Sequence, residues 1–250
     1  MNELEDVCIK YFETYKDLLE ETHTKVYLNF CNVDNDKRSK IYKTDEYYLI
    51  ELNLHHVDSN FAMIIDSNIR QIVLDNFKLE TPRLYIRRYS EKDIDDVYEI
   101  ASNPNIALTD GYKPETSFEE FQKTYYKYYI KNATMFAVVL KETNKVIGGI
   151  SLRPNSTRVL PCYEIGYNIH EDYWRKGYAY EASYASIKYL FDNLHIEMMT
   201  CAHFHNNEAS KGLINKLGFT YEGVLRNSFY HTAFGNMDLV TYSLMKDEFK

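Results

Sequence analysis

The first 81 residues of this 250-residue chain contain no glycine and no proline; all nine glycines fall from Gly111 onward and all five prolines from Pro82 onward. Turns in that stretch must be made by Asn and Asp, whose short side chains bond the nearby main chain. Cysteine is sparse. Cys8, Cys31, Cys162 and Cys201 lie far apart with no C-x-x-C pair, which excludes a zinc framework and a disulfide scaffold and points to reduced thiols. No apolar run approaches the roughly eighteen residues of a membrane span, and mean hydropathy is −0.48. The opening MNELEDVCIK carries acid where a secretory leader carries base, so a cytoplasmic protein without a membrane partner is expected. A net charge of −8 argues against nucleic acid as a partner, because phosphate binding needs a basic face. Neither a G-x-x-x-x-G-K-[ST] loop nor a G-x-G-x-x-G fingerprint occurs, which disfavours nucleotide hydrolysis and dinucleotide redox chemistry.

What is present is an ordinary globular composition, 45% hydrophobic and 26% charged, enough to bury a real core. Charge divides where glycine and proline do: residues 1–77 carry 15 acids against 8 bases, whereas 78–250 are nearly balanced. A boundary near Asn76–Lys78 is expected. It separates an acidic N-terminal α+β module, 1–77, from a larger α/β domain, 78–250. In the module, Val7, Tyr11, Tyr15, Leu18 and Leu19 recur at helical spacing. KVYLNFCNV and EYYLIELNL read as strands, FAMIID as a third, and NIRQIVLDNF as a helix. Such a small unit buries little alone. Its acidity suits long-range attraction of a cationic amine or basic peptide. The alternative is a dimerising or stabilising appendage, so a homodimer is one expectation.

From residue 83 the pattern is strand (RLYIRRY), a helix from Ser90, and a second helix through SFEEFQKTYYKYYIKN capped by Ser117. TMFAVVLK, KVIGGISLRP and CYEIGYNIH then read as three strands. A helix over 177–193, the strand EMMTCAHF, the helix EASKGLINKLG and two further strands follow. This order predicts a mixed, mostly antiparallel central sheet flanked by helices.

The stretch YEIGYNIHEDYWRKGYAYEA, residues 163–182, carries the most chemistry. A strand ends, a basic loop bears Gly177, and a helix begins. Helix N-termini present unpaired N–H groups and a partial positive charge, which suits a phosphate or pyrophosphate. Arg175 and Lys176 add charge, and Gly177 and Ala179 leave the backbone accessible. A solvated basic turn is the plain alternative.

Here the chain resembles the GCN5-related N-acetyltransferases (GNAT), in particular the ribosomal-protein N-acetyltransferase branch. TPRLYIRRYSEKDIDDVYEI resembles that family's first strand and helix, and VIGGISL with YEIGYNI its central strands. YWRKGYAYEA resembles its pyrophosphate loop, and NEASKGLINKLGFTYEGVLRNSF the stretch closing its acetyl-CoA site. The likeness spans roughly residues 79–250. Three positions depart from the pattern: Trp174 stands where the family loop often has Gln or Arg, a substitution common in this branch, Arg175 where glycine is frequent, and Phe229 where some ribosomal-protein enzymes carry a glutamate base.

The resemblance implies direct transfer of an acetyl group from acetyl-CoA, as co-substrate, to a primary amine: a protein N-terminus or a small molecule. No metal is implied. Backbone N–H groups around Tyr167, Asn168 and Ile169 would face the thioester carbonyl, each such donor contributing about 3 kcal/mol in a dry site. Trp174, Arg175, Lys176, Gly177, Tyr178 and Ala179 would hold the pyrophosphate, Asn207 the pantetheine arm, and Ser210 the leaving sulfur. Glu164 is the expected base, through a water, with Tyr230 and then His231 as second choices; a buried structural carboxylate is the alternative role for Glu164. An antibiotic- or polyamine-modifying enzyme and a non-catalytic acyl-CoA-binding protein are the rival functions. Cys201, His203 and His205 alternate as a metal set might, but lack a fourth ligand. The tyrosines of YYKYYIKN line either a helix face on the core or an acceptor pocket.

Overall fold

A computed structural model describes residues 9, 13–21, 26–31, 39–43, 48–53 and 70–250. The chain forms two compact units, 1–76 and 77–250. In the first, α1 (Lys16–Glu21) precedes β1 (Val26–Cys31), β2 (Ser39–Lys43) and β3 (Tyr48–Asn53), followed by a helix, α2, over 70–75. The strands form one sheet in the order β1-β3-β2, with β1 and β3 parallel. Tyr15 and Leu19 are buried, as their helical spacing predicts, and so are Ile72, Val73 and Leu74 of α2. The strand SKIYK went unread because only two of its five residues are apolar. FAMIID, expected as a strand, lies outside the described residues, as do Val7 and Tyr11.

The second unit is built on an eight-stranded sheet in the order β10-β11-β9-β8-β7-β6-β5-β4. Its strands are β4 (Lys78–Glu80), β5 (Leu84–Arg88), β6 (Met135–Leu140), β7 (Lys145–Pro154), β8 (Cys162–Ile169), β9 (Met198–Phe204), β10 (Thr220–His231) and β11 (Gly235–Met245). All neighbouring pairs are antiparallel except β8 and β9. The helices are α3 (Ile94–Ser102), α4 (Pro104–Asp110), α5 (Phe118–Tyr125), α6 (Tyr178–Asn193) and α7 (Glu208–Lys216). No helix among the described residues is long and apolar enough to cross a membrane.

One core cluster joins β5, β6 and β7 to α3, α4 and α5 through Val97, Ile100, Ile106, Phe121, Tyr125, Ala137, Val139 and Val146. The tyrosine run divides accordingly. Tyr125 is buried and Tyr129 packs against the cluster, while Tyr126 and Tyr128 are about half exposed. From Tyr126 to Ile130 the helix widens into a π turn, a local irregularity that recurs at functional sites.

Helix α4 was not foreseen. Its caps are nonetheless present: Asn103 accepts from the N–H groups of Asn105 (2.9 Å) and Ile106 (3.2 Å), Pro104 takes the first position, and Gly111 ends the helix at φ 83°. Both ends are anchored. Asn103 and Asn105 donate to Glu171 beyond the end of β8 (2.7 and 2.6 Å), and Gly111 O accepts from Thr232 N.

The turn into α3 is held by Asp93, which accepts from Arg87 Nη1 and Nη2 (2.7 and 2.8 Å), Ser90 N (2.8 Å) and Ser90 Oγ (2.9 Å). Burial works against its charge, but these donors outweigh it and hold the carboxyl below the usual range. A lowered acid stabilises the fold above the unfolded-state pKa of about 4 and loses that contribution as pH falls through its native value. Asp93→Ala is therefore expected to cost about 2–3 kcal/mol at pH 7, because it strands a half-buried guanidinium. Urea melts at pH 7 and pH 3 check this: the gap between wild type and variant must narrow at the lower pH.

Candidate active site

The parallel pair at the centre of the sheet is short. β8 and β9 pair only at Cys162–Met198, Tyr163–Met199 and Glu164–Thr200. Beyond Glu164 they part, although β8 stays paired with β7 as far as Ile169 and β9 with β11 as far as Phe204. Among the described residues, the backbone edge of Ile165–Ile169 that faces β9 therefore pairs with no strand, and of its groups Ile169 O is taken by the Trp174 side chain. Buried or ligand-facing main-chain groups need partners, so this edge is a ready-made row of donors and acceptors. Tyr167 and Ile169 turn their main-chain groups toward it, whereas those of Asn168 face β7, its carbonyl lying against Gly148.

Helix α6 follows β8 and begins at the same end of the sheet. Gly177 caps it at φ 82°, and Arg175 also adopts a left-handed conformation at φ 59°. A side chain tolerates that region poorly, so Arg175, unlike Gly177, holds a strained conformation in this loop. Trp174 pins the loop to the strand by donating its Nε1 to Ile169 O at 2.6 Å. The first N–H groups of α6, from Tyr178 and Ala179, have no intrahelical partner and lie at the positive end of the helix dipole.

The first turn of α6 is clamped from β4–β5, a role not legible in the sequence. Glu181 accepts from Thr81 Oγ1 (2.6 Å), Arg83 N (2.9 Å) and Arg83 Nε (2.6 Å). Arg83 also donates Nη1 to Lys176 O at 2.9 Å and lies 4.3 Å over the Tyr178 ring. Partial burial raises the Glu181 pKa, but these donors win and hold it below the ordinary carboxylate range. Only two residues apart, Thr81 and Arg83 grip one acid about a hundred positions away.

Helix α7 leaves β9 on the far side of the opening. Asn207 caps it, its Oδ1 accepting from Ser210 N at 3.0 Å, which leaves the amide NH2 for other partners. The Ser210 hydroxyl lies 2.8 Å from the Tyr167 hydroxyl of β8. Burial pushes the Tyr167 phenol well above its ordinary range, and the bond to Ser210 only partly offsets this. It is a neutral phenol at any physiological pH, so the pair is two hydroxyls spanning the gap between the strands.

Of the candidate bases, Glu164 sits at the last paired position, and its carboxylate accepts from Arg153 Nη2 at 2.6 Å, in a partly exposed ion pair. Tyr230 is 71% exposed on the edge strand β10, whereas its neighbours Phe229 and His231 turn inward against Phe204. His231 is committed: Nδ1 accepts from Ala233 N (3.0 Å) and Phe234 N (3.3 Å), so the proton is on Nε2, which donates to Leu108 O at 3.0 Å. A histidine with both nitrogens so used cannot accept a substrate proton, which removes it from the candidates. His203 is likewise occupied on both nitrogens, by Phe204 O (2.7 Å) and Tyr242 OH (3.1 Å). Burial pushes the thiols of Cys162 and Cys201 up, so neither supplies a thiolate.

The residue missed is Asp110, the last of α4. Its carboxylate accepts from Asn168 Nδ2 at 2.9 Å, and burial pushes its pKa to about 6 despite bonds from Asn168 and Thr109. An open pocket lined by His205, Asn206, Phe234, Asn236, Met237 and Asp238 lies just past the end of β9.

Residues 83–220 match the acetyltransferase (GNAT) domain family. An uncharacterized N-acetyltransferase of Bacillus subtilis, YoaA, is 30% identical over 172 residues, covering 67% of this chain and 96% of that protein. A GNAT-family acetyltransferase from Bacillus anthracis superposes with a TM-score of 0.61 at 25% identity, over 69% of this chain and all of that one. A spermidine N-acetyltransferase from Vibrio cholerae, solved with CoA and spermine, shares the fold at a TM-score of 0.56 and 20% identity, over 67% of this chain and 98% of its own. With the parted strands and the capped helix between them, these likenesses mean that the chain belongs to the GNAT family of N-acetyltransferases, enzymes of the acyltransferase class.

Proposed function

We propose that this protein transfers an acetyl group from acetyl-CoA to a primary amine, both bound at once, at the opening between β8 and β9. The observation that carries the proposal is the unpaired edge of Ile165–Ile169 next to the free N-terminus of α6. An extended pantetheine arm can complete a bare strand edge as a further strand would, and its pyrophosphate suits the first N–H groups of α6 with Arg175 and Lys176 beside them.

The thioester supplies an activated acyl group, and the chain's own groups do the rest. N–H groups of Tyr167 and Ile169 would stabilise the developing oxyanion in place of water. The spare amide of Asn207 would fix the arm, and Ser210 would donate to the departing sulfur. Tyr167 would hold the Ser210 hydroxyl in one rotamer, since the two oxygens are 2.8 Å apart. Protein N-termini and polyamines are both primary amines of the class proposed, and the Vibrio cholerae neighbour was solved with spermine.

The first experiment is titration of acetyl-CoA, followed by the fluorescence of Trp174, the only tryptophan, and by calorimetry. Saturable binding is expected, weakened roughly tenfold or more (about 1.4 kcal/mol) by Gly177→Val, which strains a left-handed cap and narrows the loop. Absence of binding by both methods sinks the proposal. A panel of spermine, an alanine-terminated peptide and an aminoglycoside then separates the acceptors; binding without transfer to any of them makes the protein an acyl-CoA-binding protein instead.

Ser210→Ala is expected to lower kcat roughly ten- to a hundredfold with little change in acetyl-CoA affinity, and Tyr167→Phe to follow it more mildly. Steady-state kinetics with the best acceptor of the panel check this. Equal rates in Ser210→Ala and wild type would remove the hydroxyl from the mechanism.

A further inference from the structure

Three carboxylates lie around the opening, and two of them have cations. Glu164 is paired with Arg153, and Glu181 with Arg83. Asp110 has no cationic partner among the described residues. Its carboxylate is bonded by Asn168 Nδ2 and Thr109 Oγ1, at 2.9 and 3.3 Å. Burial is the main cause that raises the pKa values of Tyr112, Tyr129 and Tyr167, and the Asp110 charge adds to it at each. Glu115 is the other acid facing Tyr112 and Tyr129. A partly buried carboxylate without a cation is desolvated at a cost that a bound cationic group would offset.

Asp110 touches one lip of the opening through Asn168 of β8. The next residue, Gly111, lies against the other lip: a Cβ there would come within 2.9 Å of the Phe204 ring at the end of β9 and 2.6 Å of the Phe229 ring. The end of α4 therefore bridges the two strands where they are furthest from their last shared pair. That bridge is rigid, since Gly111 O accepts from Thr232 N and Leu108 O from His231 Nε2.

We infer that Asp110 is the proton acceptor for the attacking amine and that Asn168 positions it. The inference rests on acetyl transfer as proposed above. A neutral primary amine attacks the thioester carbonyl carbon, and the new N–C bond forms. One N–H proton passes from that nitrogen to the Asp110 carboxylate. The C–S bond breaks with its electron pair going to sulfur, and the thiolate is then protonated. Asp110 returns its proton to solvent and is ready again. An acid titrating at about 6 is ionised at neutral pH yet basic enough to share a proton in flight.

The test is kcat against pH in the full-length enzyme, for wild type, Asp110→Asn and Asn168→Ala, using acetyl-CoA with spermine, the alanine-terminated peptide and the aminoglycoside as acceptors. Wild-type kcat should fall tenfold per unit below about pH 6, where the carboxylate takes up its proton. Asp110→Asn should lower kcat roughly a hundredfold or more and abolish that limb while acetyl-CoA affinity stays normal. Asn168→Ala removes a donor that holds the acid down, so its limb should move upward by roughly half a unit or more. Three results overturn the inference. One is an Asp110→Asn enzyme that binds acetyl-CoA and keeps kcat within threefold of wild type. Another is a slow Asp110→Asn enzyme whose acidic limb persists. The third is an Asn168→Ala limb that stays in place. A wild type that binds acetyl-CoA but acetylates none of the three amines overturns the transfer reading itself, and this inference with it.

Discussion

A parallel strand pair that closes for three residue pairs and then opens leaves main-chain polar groups on two facing edges, and such groups are costly unless something satisfies them. The gap persists because each strand is fully held from its other side. β8 is paired to β7 through Ile169, and β9 to β11 through Phe204. Neither can rotate back to meet its neighbour without breaking a ladder that is already satisfied. The opening is thus a fixed feature of the sheet.

The surrounding elements converge on this gap because of chain order. One helix follows each of the two strands, so α6 and α7 both start at the open end, each presenting N–H groups and a positive dipole end. The two starts are treated differently. At α7, Asn207 caps Ser210 N, which brings the serine hydroxyl to Tyr167. At α6 the cap is a left-handed glycine with no side chain to offer, so no side chain caps those N–H groups. Neutralisation of the first turn falls instead to Glu181, whose clamp to Thr81 and Arg83 ties the loop to the first strands of the domain.

Much of this was legible in the sequence where information is local. The strands KVIGGISLRP and TYEGVLRNSFYH, the loop at Gly177 and the helix EASKGLINK follow from turn chemistry and periodicity within a dozen residues. Helix α4 was lost because seven residues are too few for a periodic pattern, although Asn103, Pro104 and Gly111 mark both ends. Asp110 was lost with it. Long-range partners were out of reach in a different way. That Glu164 belongs to Arg153, Glu181 to Arg83, and His231 to Leu108 depends on how strands and loops cross in space. No spacing rule carries that, and the choice of base turns on it.

The three acids around the opening show how one site gives similar groups different electrostatic fates. Glu181 is wrapped by donors, and its acid is held down despite burial. Glu164 is matched to an arginine at the protein surface, where water screens much of the interaction. Asp110 has neutral donors only, and burial dominates. Environments that push like groups apart are how a fold assigns acid and base roles, and here they leave one carboxylate poised near neutrality. Its place at the end of α4 is no accident of loop packing, because a side chain at Gly111 would collide with Phe204 and Phe229 and lift that residue off the strand end. The glycine that ends the helix thus also permits its close packing on the Phe204 and Phe229 rings.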